Sequence, residues 1–186
     1  MVSVRKCINN AGALSRIQLP SIPQIDEEIK LVPEAVCALG CWCGRVVEIF
    51  TVTDPQLNEY RARVVAKDDC SVTVLPFAQV SPTESLIRIE LLQALPEKER
   101  FELILQKATE IGVARIAPFH SSKSTTVNER DAGQRKSHRW PDVLLRAARQ
   151  CRRAVIPELS PVLDWDYALE QCVDAEMSLL CYEGEG

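Results

Sequence analysis

A chain of 186 residues that is 46% hydrophobic has enough apolar material for one ordinary domain or slightly more, which excludes disorder as the default reading. Its formal charge of -4 and pI near 5.3 exclude a uniformly basic nucleic-acid binder, and its eight cysteines fall well below the density of a disulfide scaffold, about 8–10%. No apolar run approaches the roughly 20 residues of a membrane span, and the opening MVSVRKCINNAGALS lacks the apolar core of a signal peptide. We therefore read a soluble, cytoplasmic chain with reduced thiols and no membrane partner.

Residues 1 to about 80 carry short apolar runs, Ile29 to Val32, Arg45 to Val52, Tyr60 to Val65 and Ser71 to Leu75, separated by turn-formers such as Asp54-Pro55, Asn58 and Asp68-Asp69. This pattern predicts a small β-barrel or sandwich. Arg61, Arg63 and Lys67 alternate with apolar neighbours, which makes one face of that hairpin either a basic surface or an ordinary solvated one. Cys37, Cys41 and Cys43 flank Trp42 in a C-x3-C-x-C cluster whose fourth metal ligand would have to be the distant Cys70. Structural zinc favours paired cysteines two to four residues apart, so buried thiols beside a tryptophan are the expected state, with no metal.

The segment Pro76 to Ser85 is a polar, proline-containing boundary, dividing the chain into residues 1–80 and 81–186. Beyond it, Leu86 to Phe119 predicts strand, helix and strand. Ile87, Ile89, Leu91 and Leu92 precede Pro96; Phe101, Ile104, Leu105, Ala108 and Ile111 recur at helical spacing; Gly112 suits a left-handed helix end, and Val113 to Phe119 reads as a buried strand. Such a βαβ crossover requires a parallel sheet.

After a polar loop from Ser121 to Gly133, a helix is predicted over Lys136 to Arg152, with Trp140, Val143, Leu144, Ala147 and Cys151 inward. From Lys123 to Arg153 there are nine Lys or Arg against three acids, a local +6 on an acidic chain, and His120 and His138 lie in or beside the segment. Arg139, Arg146, Arg149 and Arg153 line one side of the helix and its exit, either as a phosphate-facing stripe or as a charged surface partly paired through Asp142. Further on, a strand near Glu158 to Val162, a short helix from Asp164 to Cys172 and a buried strand from Met177 to Tyr182 are expected.

Leu92-Gln93-Ala94-Leu95-Pro96, Arg100-Phe101-Glu102 and Gln106-Lys107-Ala108-Thr109-Glu110-Ile111-Gly112-Val113 form a series that resembles the ribosomal RNA small subunit methyltransferase E (RsmE) family of the SPOUT superfamily. Pro118-Phe119 with Ser121, Lys123 and Ser124 is similar to that family's P-L-x-S-E-R-S loop. Arg139-Trp140, Ala147 to Arg153 and Pro157-Glu158 are similar to its R-W … A-A-E-Q-S-G-R … P-E stretch. Val47 to Phe50 and Glu59 to Ala62 resemble its V-E-L-F-D-G … E-Y-R-A hairpin. Departures are Glu97-Lys98 in place of K-G, Ser122 in place of the loop glutamate, and Arg149 in place of the glutamate before Gln150.

The resemblance implies an α+β two-domain chain, with a PUA-like, RNA-binding β-barrel over residues 1–80 and a partial, parallel-sheet SPOUT methyltransferase domain over 81–186. It implies S-adenosylmethionine as methyl donor and methylation of a uridine ring nitrogen in 16S ribosomal RNA, the uracil-N(3) position, by a homodimer. The family's knot motifs, G-P-E-G-G and L-G-x-R-I-L-R-x-E-T-A, do not occur here, so the cofactor site is expected outside this chain, read as a fragment that is inactive alone. Arg153 is the leading catalytic candidate; Arg100, Lys123, Arg146, Arg149, Gln150 and Arg152 join it as candidate RNA contacts. The alternatives are a catalytically silent RNA-binding module and a metal-binding regulator using the cysteines.

Overall fold

The computed structural model describes residues 12–68, 71–96, 98–124 and 139–181. Among the described residues the amino-terminal half holds four strands, β1 (Ile29–Lys30), β2 (Ile49–Thr53), β3 (Glu59–Lys67) and β4 (Val72–Val80), one α-helix, α1 (Pro33–Cys41), and a short 3-10 turn at Ala13–Ser15. They pair antiparallel in the order β1-β4-β3-β2, and Gln18 adds a parallel bridge to Thr53 at the β2 edge. Among the described residues this is an open sheet. The short runs predict a small barrel or sandwich and the resemblance a PUA-like barrel; no closed barrel is found among these residues.

Local chemistry explains how these strands depart from the predicted spans. Arg45 to Glu48 form a turn rather than the start of β2, because Val47 takes a left-handed φ of 68° while its N–H donates to the Val64 carbonyl. Pro76, expected in the boundary segment, lies inside β4 opposite Ala62, beside a register shift between Arg61 and Ala62. A proline has no N–H for the ladder, and an irregularity is where a strand tolerates it. Trp42, Leu39, Phe50, Val52, Val64 and Val74 fill the core of this half.

The second half is built on β5 (Glu90–Ala94), α2 (Lys98–Glu110), β6 (Arg115–Phe119), α3 (Trp140–Gln150), β7 (Glu158–Leu159) and α4 (Trp165–Glu170). The βαβ expectation holds: β5 pairs parallel to β6, Leu91 opposite Ile116, and β6 pairs parallel to β7. Gly112 ends the α2 segment at φ 93°, the left-handed conformation a glycine adopts without a Cβ penalty. The first strand starts later than predicted, leaving Leu86, Ile87 and Ile89 exposed, and Ile111 also faces out.

Phe101, Leu105 and Ala108 of α2 pack on Trp140, Leu144 and Ala148 of α3, with the Phe101 and Trp140 rings edge-on at 4.6 Å between centroids. Burying a side chain of this size stabilises the fold by roughly 1.5–3 kcal/mol. The described part of the predicted Lys136 to Arg152 helix begins at Arg139, and α3 proper starts at Trp140; residues 136–138 lie outside the described set. Residues 177–181, expected as a buried strand, form no regular element, with Met177 76% and Leu180 84% exposed. No described strand lies beside them to complete a ladder, and Tyr182 is outside the described residues.

Candidate nucleic-acid interface

The segment Arg149 to Ile156 leaves α3 and runs along the seam between the two sheets. Arg153 is 5% exposed, and its guanidinium faces Glu84 with Nη2 2.6 Å from Oε2, while Nη1 donates to the Val113 carbonyl at 2.7 Å and the Thr109 carbonyl at 3.3 Å. Glu84 Oε1 also accepts the N–H groups of Ala154 and Val155 at 2.9 and 3.0 Å. Thr83 beside it donates through N and Oγ1 to the buried Glu59 carboxylate of β3, at 2.8 and 2.7 Å. A continuous polar chain thus links sheet, linker and α3 exit, and it occupies four of the five donors of Arg153.

Arg149 is engaged on the other side of the seam. Its Nη2 donates to the Trp42 carbonyl and lies 3.4 Å from Glu48 Oε2, and its guanidinium carbon stands 5.5 Å from the Phe50 ring centre. Of the predicted RNA-facing arginines, Arg149 therefore joins the two halves directly, and Arg153 anchors the linker at Glu84 to the end of α2. Deeper in, Ser15 Oγ accepts the Ile156 N–H at 2.8 Å, and Trp42 Nε1 donates to the Ser15 carbonyl at 2.6 Å.

The other candidates reach solvent. Arg152, Arg146, Gln150, Arg100 and Lys123 are all exposed, with Arg146 Nε turned back to the Asp142 carbonyl of its own helix. Arg152 takes a left-handed φ of 63°, and its carbonyl accepts the Thr51 hydroxyl at 2.7 Å. The same hydroxyl oxygen accepts Arg61 Nη1 at 2.8 Å. Burial, and then the charge of Arg152, lower the pKa of Arg61. Arg130, Arg135, Lys136 and His138 of the basic segment lie outside the described residues.

Glu84, Arg153, Glu110, Gly112 and Cys151 border a cavity of about 290 Å³ at the seam. Burial, the largest influence, pushes the Cys151 thiol up, which leaves it protonated and a poor nucleophile. In the amino-terminal half Cys41 is buried but Cys37 and Cys43 are exposed on either side of it, which corrects the expectation of three buried thiols. No group of three His, Cys, Asp or Glu suited to a metal occurs among the described residues, and Cys70 lies outside them.

Reasoning from sequence missed Glu84, Glu48 and Thr51. Glu84 sits in the polar linker, where no periodicity marks a partner; the pairing of Glu48 with Arg149 spans 101 positions.

Residues 83–186, more than half of the chain, match the RNA methyltransferase domain. The chain belongs to that family. Among curated RNA methyltransferases, the ribosomal RNA small subunit methyltransferase E of Bacillus subtilis is 27% identical over 119 residues, covering 64% of this chain and 46% of the relative. Its counterpart in Mesomycoplasma hyopneumoniae is 32% identical over 98 residues, covering 52% and 42%. The chain thus spans just under half the length of these relatives.

A solved structure described as a hypothetical protein superposes with a TM-score of 0.61 at 21% identity, covering 84% of this chain and 65% of that one. The ribosomal RNA small subunit methyltransferase E of Neisseria gonorrhoeae, solved bound to S-adenosyl methionine, gives 0.50 at 23% identity, covering 84% and 64%. At these identities the likeness is one of fold. It extends over the antiparallel sheet as well as the methyltransferase segment. None of the described helices is long and apolar enough to cross a membrane.

Proposed function

We propose that this chain is the RNA-engaging portion of a cytoplasmic, S-adenosylmethionine-dependent methyltransferase, homodimeric when whole, that acts on the uracil N(3) position of a uridine in 16S ribosomal RNA. The match of residues 83–186 to the RNA methyltransferase domain, laid over a parallel βαβ unit, carries the reading. The relatives named for small-subunit ribosomal RNA support this choice of substrate. Residues 1–80 and 81–186 serve as an RNA-binding sheet and the first part of the catalytic domain.

The methyl donor does not fit the described seam cavity. At about 290 Å³ that cavity lies at the lower limit for small-ligand sites, and its carboxylate and guanidinium already satisfy each other. The family resemblance supports a donor site outside these 186 residues.

The chemistry asks for cationic groups on the RNA side. The uracil imide must lose its N3 proton before or as the methyl group arrives, and fixed positive charge stabilises the developing anion while phosphate contacts hold the strand. Arg152, Lys123, Arg146, Arg100 and Gln150 present exposed donors for these contacts, whereas Arg149 and Arg153 position the seam that carries them. A uridine inside a helix would have to leave its stack to be reached.

The test supplies 16S ribosomal RNA and labelled methyl donor to the full-length protein and locates the modified base by mass spectrometry. Label at uracil N(3) is expected. RNA binding without label would instead favour the catalytically silent module.

A further inference from the structure

We propose that Arg61 and Arg152 together form a phosphate-binding position at the seam, taking a backbone phosphate of RNA. The two residues come from distant parts of the chain, the first half of β3 and the turn after α3, and meet at one hydroxyl, Arg61 through its guanidinium and Arg152 through its carbonyl. Arg61 Nη1 donates to Thr51 Oγ1 at 2.8 Å, and Thr51 Oγ1 donates to the Arg152 carbonyl at 2.7 Å. Thr51 lies directly opposite Arg61 in the β2–β3 ladder, so the sheet register fixes where the first guanidinium stands.

Three observations indicate an anion. Among the described residues neither guanidinium has a carboxylate within ion-pair distance, whereas the neighbouring Arg149 and Arg153 each have one. Arg61 is also partly withdrawn from water and feels the charge of Arg152, an arrangement unfavourable in the absence of a counter-charge. Finally, Arg152 holds a φ of 63°, a conformation that disfavours any residue with a Cβ, and it presents an exposed side chain there. A guanidinium pair matches the oxygens of a phosphate by charge and by its forked donors. Arg63, exposed two residues along the same face of β3, extends the positive surface.

Only the identification of the phosphate as that of RNA rests on the function proposed above. The position itself is tested with inorganic phosphate. Thermal denaturation of this chain in phosphate, against chloride at matched ionic strength, should show an upshift of roughly 2–4 °C at near-saturating phosphate. Arg61→Gln and Arg152→Gly should abolish it. The second variant suits the left-handed backbone and should fold even if the first does not. An undiminished upshift in Arg152→Gly would overturn the position.

A second arm uses a single-stranded RNA 20-mer and fluorescence anisotropy over a salt series. Arg152→Gly should lower the slope of log affinity against log salt by about 0.7, the loss of one single-strand phosphate contact. An unchanged slope beside a lost phosphate upshift would overturn the RNA assignment and leave a site for free phosphate. Absence of RNA binding by the unmodified chain would overturn the RNA-engaging reading, while the phosphate arm still decides the position.

Discussion

Arg153 and Glu84 meet across the seam with 2.6 Å between Nη2 and Oε2, and their side chains are only 4% and 16% exposed. A pair this withdrawn from solvent is a structural commitment, because removing one member strands the other's charge away from water.

Arg153→Ala is accordingly expected to lower the stability of the chain by roughly 3–5 kcal/mol. Glu84→Gln should cost less, since an amide still accepts from Ala154 and Val155. Chemical denaturation of the two variants measures both. An Arg153→Ala chain as stable as the parent would return this arginine to the group of solvent-facing contacts.

Arg149 and Glu48 lend themselves to a charge exchange. Arg149→Glu should set two carboxylates against each other where 3.4 Å now separates opposite charges, and should remove the donor to the Trp42 carbonyl, for a loss of about 2–3 kcal/mol. Combining it with Glu48→Arg should recover part of that loss. A coupling of roughly 1 kcal/mol in the double-mutant cycle is the expected result.

Asp54 supplies a pH prediction. Burial alone would raise its pKa, but hydrogen bonds from Asn58, Gln56 and Tyr60 outweigh it and hold the carboxyl below the ordinary 3.8. A depressed folded-state pKa gives stability that is fully present above the unfolded value and lost as pH falls through the folded one. Urea midpoints should therefore drop below about pH 4, and Asp54→Asn should flatten part of that drop. The same substitution should cost roughly 2–3 kcal/mol at neutral pH, because its amide group faces donors.

Gly44 tests packing. A Cβ there would sit 2.5 Å from Leu39 Cδ1 and 2.7 Å from Cγ, and Leu39 is buried in the core. Gly44→Ala should destabilise by about 1–3 kcal/mol, with Leu39→Ala in the same chain relieving the clash. Melting temperatures of the single and double variants decide it.

The parallel unit was legible because its information is local. Phe101, Leu105 and Ala108 repeat at helical spacing, and Gly112 marks the turn beyond them with its lack of a Cβ. The ends of strands were not, since Val47 and Pro76 are placed by partners across the sheet rather than by their neighbours in sequence. The same reason separates the arginines. Arg149, Arg152 and Arg153 look equivalent as a basic run, yet Glu48 and Glu84, from distant elements, engage two of them. Arg152 carried one readable clue, standing where the similar stretch has glycine, in keeping with its left-handed backbone.

The hydrogen bond from Ile156 to Ser15 joins positions 141 residues apart, and the one from Thr51 to Arg152 spans 101. Loops this long close late, because their entropy must be lost before the contacts form. During synthesis the antiparallel sheet would therefore emerge with the Thr51 hydroxyl and the Trp42 carbonyl unpartnered by the second half, until the turn after α3 had left the ribosome. Completion of the amino-terminal half would then depend on how quickly translation delivers the next hundred residues.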